Sequence, residues 1–87
     1  MQYLHYQVKA DKDQIVQVTV DHEASIKLMD TFNYAKFQRG KTCDFFGGVY
    51  PASTIEFRVY KPDAWHVVID LEGRAGVVKA SVNLLKC

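Results

Sequence analysis

Three histidines, two cysteines and one short run of bases are the side chains here whose types could carry chemistry. His5, His22 and His66 could ligate a metal or move protons near neutral pH. Each stands on a different segment, and none has a Cys, Asp or Glu at ligand spacing. His66 and Asp70 share a strand phase, but four residues of strand span about 13 Å, too far for one ion. All three read as surface histidines. Cys43 would be a nucleophile only beside a base oriented by a third group, and only the fold could bring His5 or His66 to it. A packed or partly exposed thiol is the plainer reading. Cys43 and Cys87 are too few for a structural zinc site, and two free thiols are preferred to one long-range disulfide. Gly47-Gly48 lacks the strand-to-helix setting of a phosphate loop and reads as a turn. No catalytic residue, metal or cofactor is assigned.

The bases are more suggestive. Between residues 31 and 43 stand Lys36, Arg39 and Lys41 and no acid, with Tyr34 and Phe37 interleaved and Phe45-Phe46 close behind. Asn33, Tyr34, Lys36, Arg39 and Lys41 form the candidate ligand-binding set. Bases beside aromatic rings are the recipe for single-stranded nucleic acid, but a net charge of +1 gives the whole chain no pull toward phosphates. A solvated face, or one meeting a protein, peptide or small anionic ligand, fits better.

The elements that must position these residues read as strands. Eighty-seven residues make one domain, 1–87, of ordinary globular composition. Residues 2–9 alternate Leu4, Tyr6 and Val8 against Tyr3, His5, Gln7 and Lys9. Residues 14–21 turn Val16, Val18 and Val20 inward, and residues 25–29 do the same with Ile26 and Leu28. A further short strand is expected over 42–46. Residues 54–60 place Ile55, Phe57 and Val59 inward, and residues 65–71 place Trp65, Val67, Ile69 and Leu71 inward. A hairpin through Glu72-Gly73-Arg74-Ala75-Gly76 leads to residues 77–85, with Val78, Ala80, Val82 and Leu84 inward. His66, Val68 and Asp70 fall on the outward phase, as do Tyr3 and Tyr60. Between 33 and 39 the period of two breaks: Asn33 as N-cap, a Phe32–Phe37 hydrophobic staple and Gly40 as left-handed C-cap predict one to two helical turns.

Three segments carry a family resemblance. They are Asn33-Tyr34 with Phe37 and Gly40, then Phe45-Phe46-Gly47-Gly48, then Trp65, Val67, Val68 and Asp70. In this order they resemble an uncharacterised family of small bacterial domains, a domain of unknown function, over nearly the whole chain. The resemblance implies a β-sandwich that stands alone or is fused to Toll/interleukin-receptor-type domains. It implies no activity and no catalytic residue.

The fold expected is all-β: a single antiparallel, jelly-roll-like β-sandwich of about seven strands with one short helix inserted near residues 33–39. A five-stranded oligonucleotide-binding barrel is the alternative. The function expected is a non-catalytic binding or interaction module that uses the basic, aromatic-flanked helical protrusion. The alternatives are a small enzyme running on Cys43 or a histidine, and a weak single-stranded nucleic-acid binder. No leader or membrane-spanning run is read, so a cytoplasmic protein is expected. A homodimer through residues 2–9 as an edge strand is a further expectation.

Overall fold

A computed structural model describes residues 3–70 and 78–85 of the chain. Leu71, the hairpin at 72–76 and Cys87 lie outside the described residues. The elements are β1 (Leu4–Ala10), β2 (Ile15–Val20), β3 (Ala24–Met29), α1 (Thr31–Gln38), β4 (Phe46–Tyr50), β5 (Ser53–Arg58), β6 (Asp63–Asp70) and β7 (Ala80–Leu85). They form a four-stranded sheet in the order β1-β6-β3-β4 and a three-stranded sheet in the order β5-β2-β7, every pair antiparallel. Among the described residues, the expected seven-strand sandwich with one helix is what forms.

Alternation decides what faces what. Val16, Val18 and Val20 of β2 pack against Ile26 and Leu28 of β3 and Trp65, Val67 and Ile69 of β6 in one buried cluster. Val78, Ala80, Val82 and Leu84 pack against it, as their phase predicts. The solvent face of the smaller sheet carries polar cross-strand pairs: Gln17 donates to Glu56, and the Thr19 and Thr54 hydroxyls meet at 3.1 Å.

Three local expectations are corrected. Gly47-Gly48 is not a turn: both glycines lie within β4, opposite Lys27 and Ile26, and the expected strand over 42–46 forms later, over β4. Gly47 has φ +129°, and a Cβ there would lie 2.0 Å from the Ile26 carbonyl oxygen, so only glycine lets the two backbones approach this closely. The outward phase of β6 is not exposed, since His66, Val68 and Asp70 are buried along with Trp65, Val67 and Ile69. Helix α1 covers His66 and Val68, with Tyr34 stacked on His66 and Tyr34 and Met29 clustered with Val68.

The helix begins earlier than expected. Asp30, not Asn33, is the N-cap: its carboxylate accepts the Asn33 N–H at 2.9 Å and the Asn33 side-chain amide at 2.9 Å. The staple shifts with it. Phe32 is 68% exposed, and the hydrophobic pair flanking the cap is Met29 with Tyr34. The other end matches the reading. Gly40, at φ +71°, follows the Arg39 cap, with Gly40 N–H donating to the Phe37 carbonyl and Lys41 N–H to the Lys36 carbonyl, both at 3.0 Å, a Schellman closure.

Candidate functional site

Helix α1 lies across the outer face of the larger sheet, and two features are built where it docks. The first is a cluster of rings. His5 on β1 and His66 on β6 are diagonal neighbours, because Gln7 is the residue opposite His66 and Val68 the residue opposite His5. His5 Nε2 lies 2.8 Å from His66 Nδ1, with the ring planes 9° apart and the centroids 5.1 Å apart. Those values place the two imidazoles edge to edge in a common plane. The Tyr34 ring lies flat over both, 4.4 Å from His5 and 4.2 Å from His66, at 4° and 8°. Phe37 meets Tyr3 edge-on at 5.3 Å, and the Tyr3 and Tyr34 hydroxyls are 3.4 Å apart.

Hydrogen-bond direction fixes the tautomers of this cluster. The Thr31 hydroxyl has one proton, and the Ala64 carbonyl at 2.9 Å and the Asp63 carboxylate at 3.0 Å, which can only accept, compete for it. Toward His66 Nε2, 3.3 Å away, it therefore accepts. His66 carries its proton on Nε2 and accepts at Nδ1 from His5 Nε2–H. Thr31 is thus no nucleophile activated by His66, since its proton is already committed elsewhere. Burial lowers the pKa of both histidines, and the neighbouring His5 lowers His66 further. Burial and the Tyr3 hydroxyl push Tyr34 up to about 12.

The second feature is a pocket of about 150 Å³ where β3 runs into α1 and β4 begins. Leu28, Met29 and Trp65 form its buried floor, and Phe45, Phe46 and Tyr60 its exposed rim. Asp30, Asn33 and Asp44 supply its polar edge. Lys61 Nζ reaches Asp30 at 2.8 Å and Asp63 at 3.9 Å. Burial alone would raise the Asp30 pKa, but the Lys61 ammonium and the two Asn33 donors outweigh it and hold the carboxyl low. The same pairing raises Lys61.

The residues proposed from sequence divide sharply. Asn33 is a structural tie, its amide bonded to Asp30 and its carbonyl accepting the Asp44 N–H at 3.0 Å, although it also edges the pocket. Tyr34 is 9% exposed and belongs to the ring cluster. Lys36 is half-buried, 4.7 Å from the Phe32 ring centroid. Arg39 and Lys41 are exposed beyond the helix end. Of the histidines, His22 is a surface residue beside Asp21, whereas His66, only 5% exposed, contradicts the surface reading. Cys43 is a free thiol packed against Met29, Tyr34 and Val68. No three His, Cys, Asp or Glu side chains among the described residues converge to hold a metal, and no described helix is long and apolar enough to cross a membrane.

Two features escaped the sequence reading. Val67-Val68-Ile69 is an unbroken apolar run, the mark of a strand buried on both faces, and it signals the covered side of β6. The His5–His66 contact had no such signal, because nothing local joins residues sixty-one apart.

Fold and site together define a small two-sheet β-sandwich whose outer face is closed by one capped helix. Residues 1–87 match the family described as Domain of unknown function (DUF1883), and the chain belongs to that family. Neither the curated proteins nor the solved structures yield a match.

Proposed function

We propose that the domain is a non-catalytic binding module that takes an extended, acidic segment of a partner protein and seats one apolar side chain in the pocket. The observation that carries this reading is the rim. Phe45, Phe46 and Tyr60 are each at least 44% exposed, and all three surround one opening over an apolar floor. Side chains of this kind, grouped rather than scattered, mark recognition surfaces. Strand β4 starts at this rim and is a sheet edge, with backbone groups open to a further strand. Lys27, its ammonium 5.1 Å from the Phe45 ring centroid, stands beside the rim and supplies an opposite charge, and Lys36, Arg39 and Lys41 follow on α1 and just past its end. A binding module of this kind suits attachment to a signalling domain of Toll/interleukin-receptor type, the fusion that the family resemblance implies.

Selection of displayed random peptides against the domain, followed by amide chemical-shift mapping, tests the reading. Enriched peptides should carry one aromatic or aliphatic anchor among acids, shift Phe46, Gly48 and Tyr60, and lose affinity on Tyr60→Ala. Enrichment of basic peptides, or shifts confined to the β5-β2-β7 sheet, would overturn it. Preferential capture of single-stranded oligonucleotides, with a steep salt dependence, would favour the nucleic-acid alternative instead.

A further inference from the structure

We propose that the His5–His66 pair is a proton-operated latch on helix α1 that survives one proton and is released by a second. The latch is independent of what the pocket binds. It rests on geometry: two coplanar imidazoles share one N–H···N bond of 2.8 Å, and the phenol ring of Tyr34, the buried residue of α1, lies flat over that bond.

The tautomers fixed by Thr31 leave a single ring nitrogen free to take the first proton, His5 Nδ1 on the exposed edge strand β1. Protonation there makes His5 a stronger donor to His66 Nδ1 and places its charge beneath the Tyr34 face, and both effects offset the cost of charging a partly covered ring, so the stack survives. The second proton can enter only at His66 Nδ1, the atom that accepts the bond. Two N–H groups would then face each other, and two positive rings would lie side by side beneath Tyr34.

The surroundings do not relieve that repulsion. Asp63 and Asp30 draw positive charge toward His66, but Lys61 already spans both carboxylates. On β3, Lys27 lies on the same face of the sheet and adds positive charge. Asp70 stands four residues along β6 from His66, and Tyr34, pushed up to about 12, stays neutral. His66 is buried and held by Thr31, so His5 is the ring that turns out. Tyr34 then loses half its floor, and α1 loosens while the sandwich beneath stays closed. Burial lowers both histidines, so both steps fall on the acid side of the ordinary value of 6.5.

Imidazole nitrogen NMR across about pH 8 to 4, with amide exchange measured at each step, tests the latch. The expected result is two linked steps, His5 Nδ1 first. Exchange of the α1 amides should change little after the first step, then speed by about tenfold or more after the second. The β2 amides should keep their protection throughout. His5→Gln, on an exposed position, should fold normally and keep α1 protected across the range with Asp30 still present. Two independent one-proton curves would overturn the proposal. So would simultaneous loss of α1 and β2 protection, or a His5→Gln protein that releases α1 at the wild-type pH.

Discussion

On its inner face β6 presents Trp65, Val67 and Ile69 to a layer of valines, isoleucine and leucine; on its outer face it presents His66 and Val68 to one eight-residue helix. Both faces are buried, but by different means. The inner face meets a whole second sheet, and its cover is aliphatic and continuous. The outer face is closed by a helix held through a few specific ties: Asp30 to Lys61, Asn33 to Asp44, and Tyr34 on the two histidines. An element with so few anchors opens at lower free energy than the core it covers. The pocket and the ring cluster both lie beside this weakly held element.

Truncation should separate the two faces. Trp65→Ala removes a buried ring from the inner layer and should cost about 3–5 kcal/mol, enough to unfold much of a domain this size in urea titrations. Gly47→Ala should cost about 3 kcal/mol and be read as lost protection along β3 and β4, because the new Cβ meets the Ile26 carbonyl. Tyr34→Ala should cost about 2 kcal/mol and expose α1 without opening the inner layer. Phe37 is only half-buried, so Phe37→Ala should cost about 1–2 kcal/mol, well below a full core deletion. If Tyr34→Ala melts both layers together, the contrast between the faces fails.

Acid sharpens the comparison. The two histidines have folded pKa values below 6.5, so the unfolded chain takes up protons first as pH falls. Their stabilising contribution is complete above 6.5 and is lost progressively below it. Asp30 titrates below its ordinary 3.8 in the folded chain, so the stability it gives is present above 3.8 and goes at still lower pH. Urea midpoints should therefore fall first in the histidine range, and His5→Gln should flatten that first decline. The smallest effect belongs to the bases: replacing Lys36, Arg39 and Lys41 together by Ser should change stability by under about 0.5 kcal/mol, because Arg39 and Lys41 are exposed and the half-buried Lys36 leans on the exposed Phe32 ring.

The strands were legible because alternation is a local signal, and each inward residue of β2, β3 and β6 is read from its neighbours two places away. The C-terminal cap at Gly40 was legible for the same reason. The N-cap was not: Asp30 and Asn33 are both good cap residues, and the competition was settled by Lys61, far along the chain, which neutralises the buried Asp30 carboxylate. The candidate site was harder still. Tyr34 looked like a binding residue beside bases, but the register of β1 on β6 placed two imidazoles beneath it. Spacing within one segment carries no record of a register between segments sixty residues apart.

The strand order also governs how this chain can be made. Among the described residues β1 pairs only with β6, and β2 finds both of its partners, β5 and β7, later in the chain. During synthesis the first two strands therefore emerge without partners and must wait for distant segments. High sequence separation between paired strands slows folding to milliseconds or longer. Val16, Val18 and Val20 stay uncovered meanwhile, and they are the stretch a ribosome-associated chaperone would have most reason to shield.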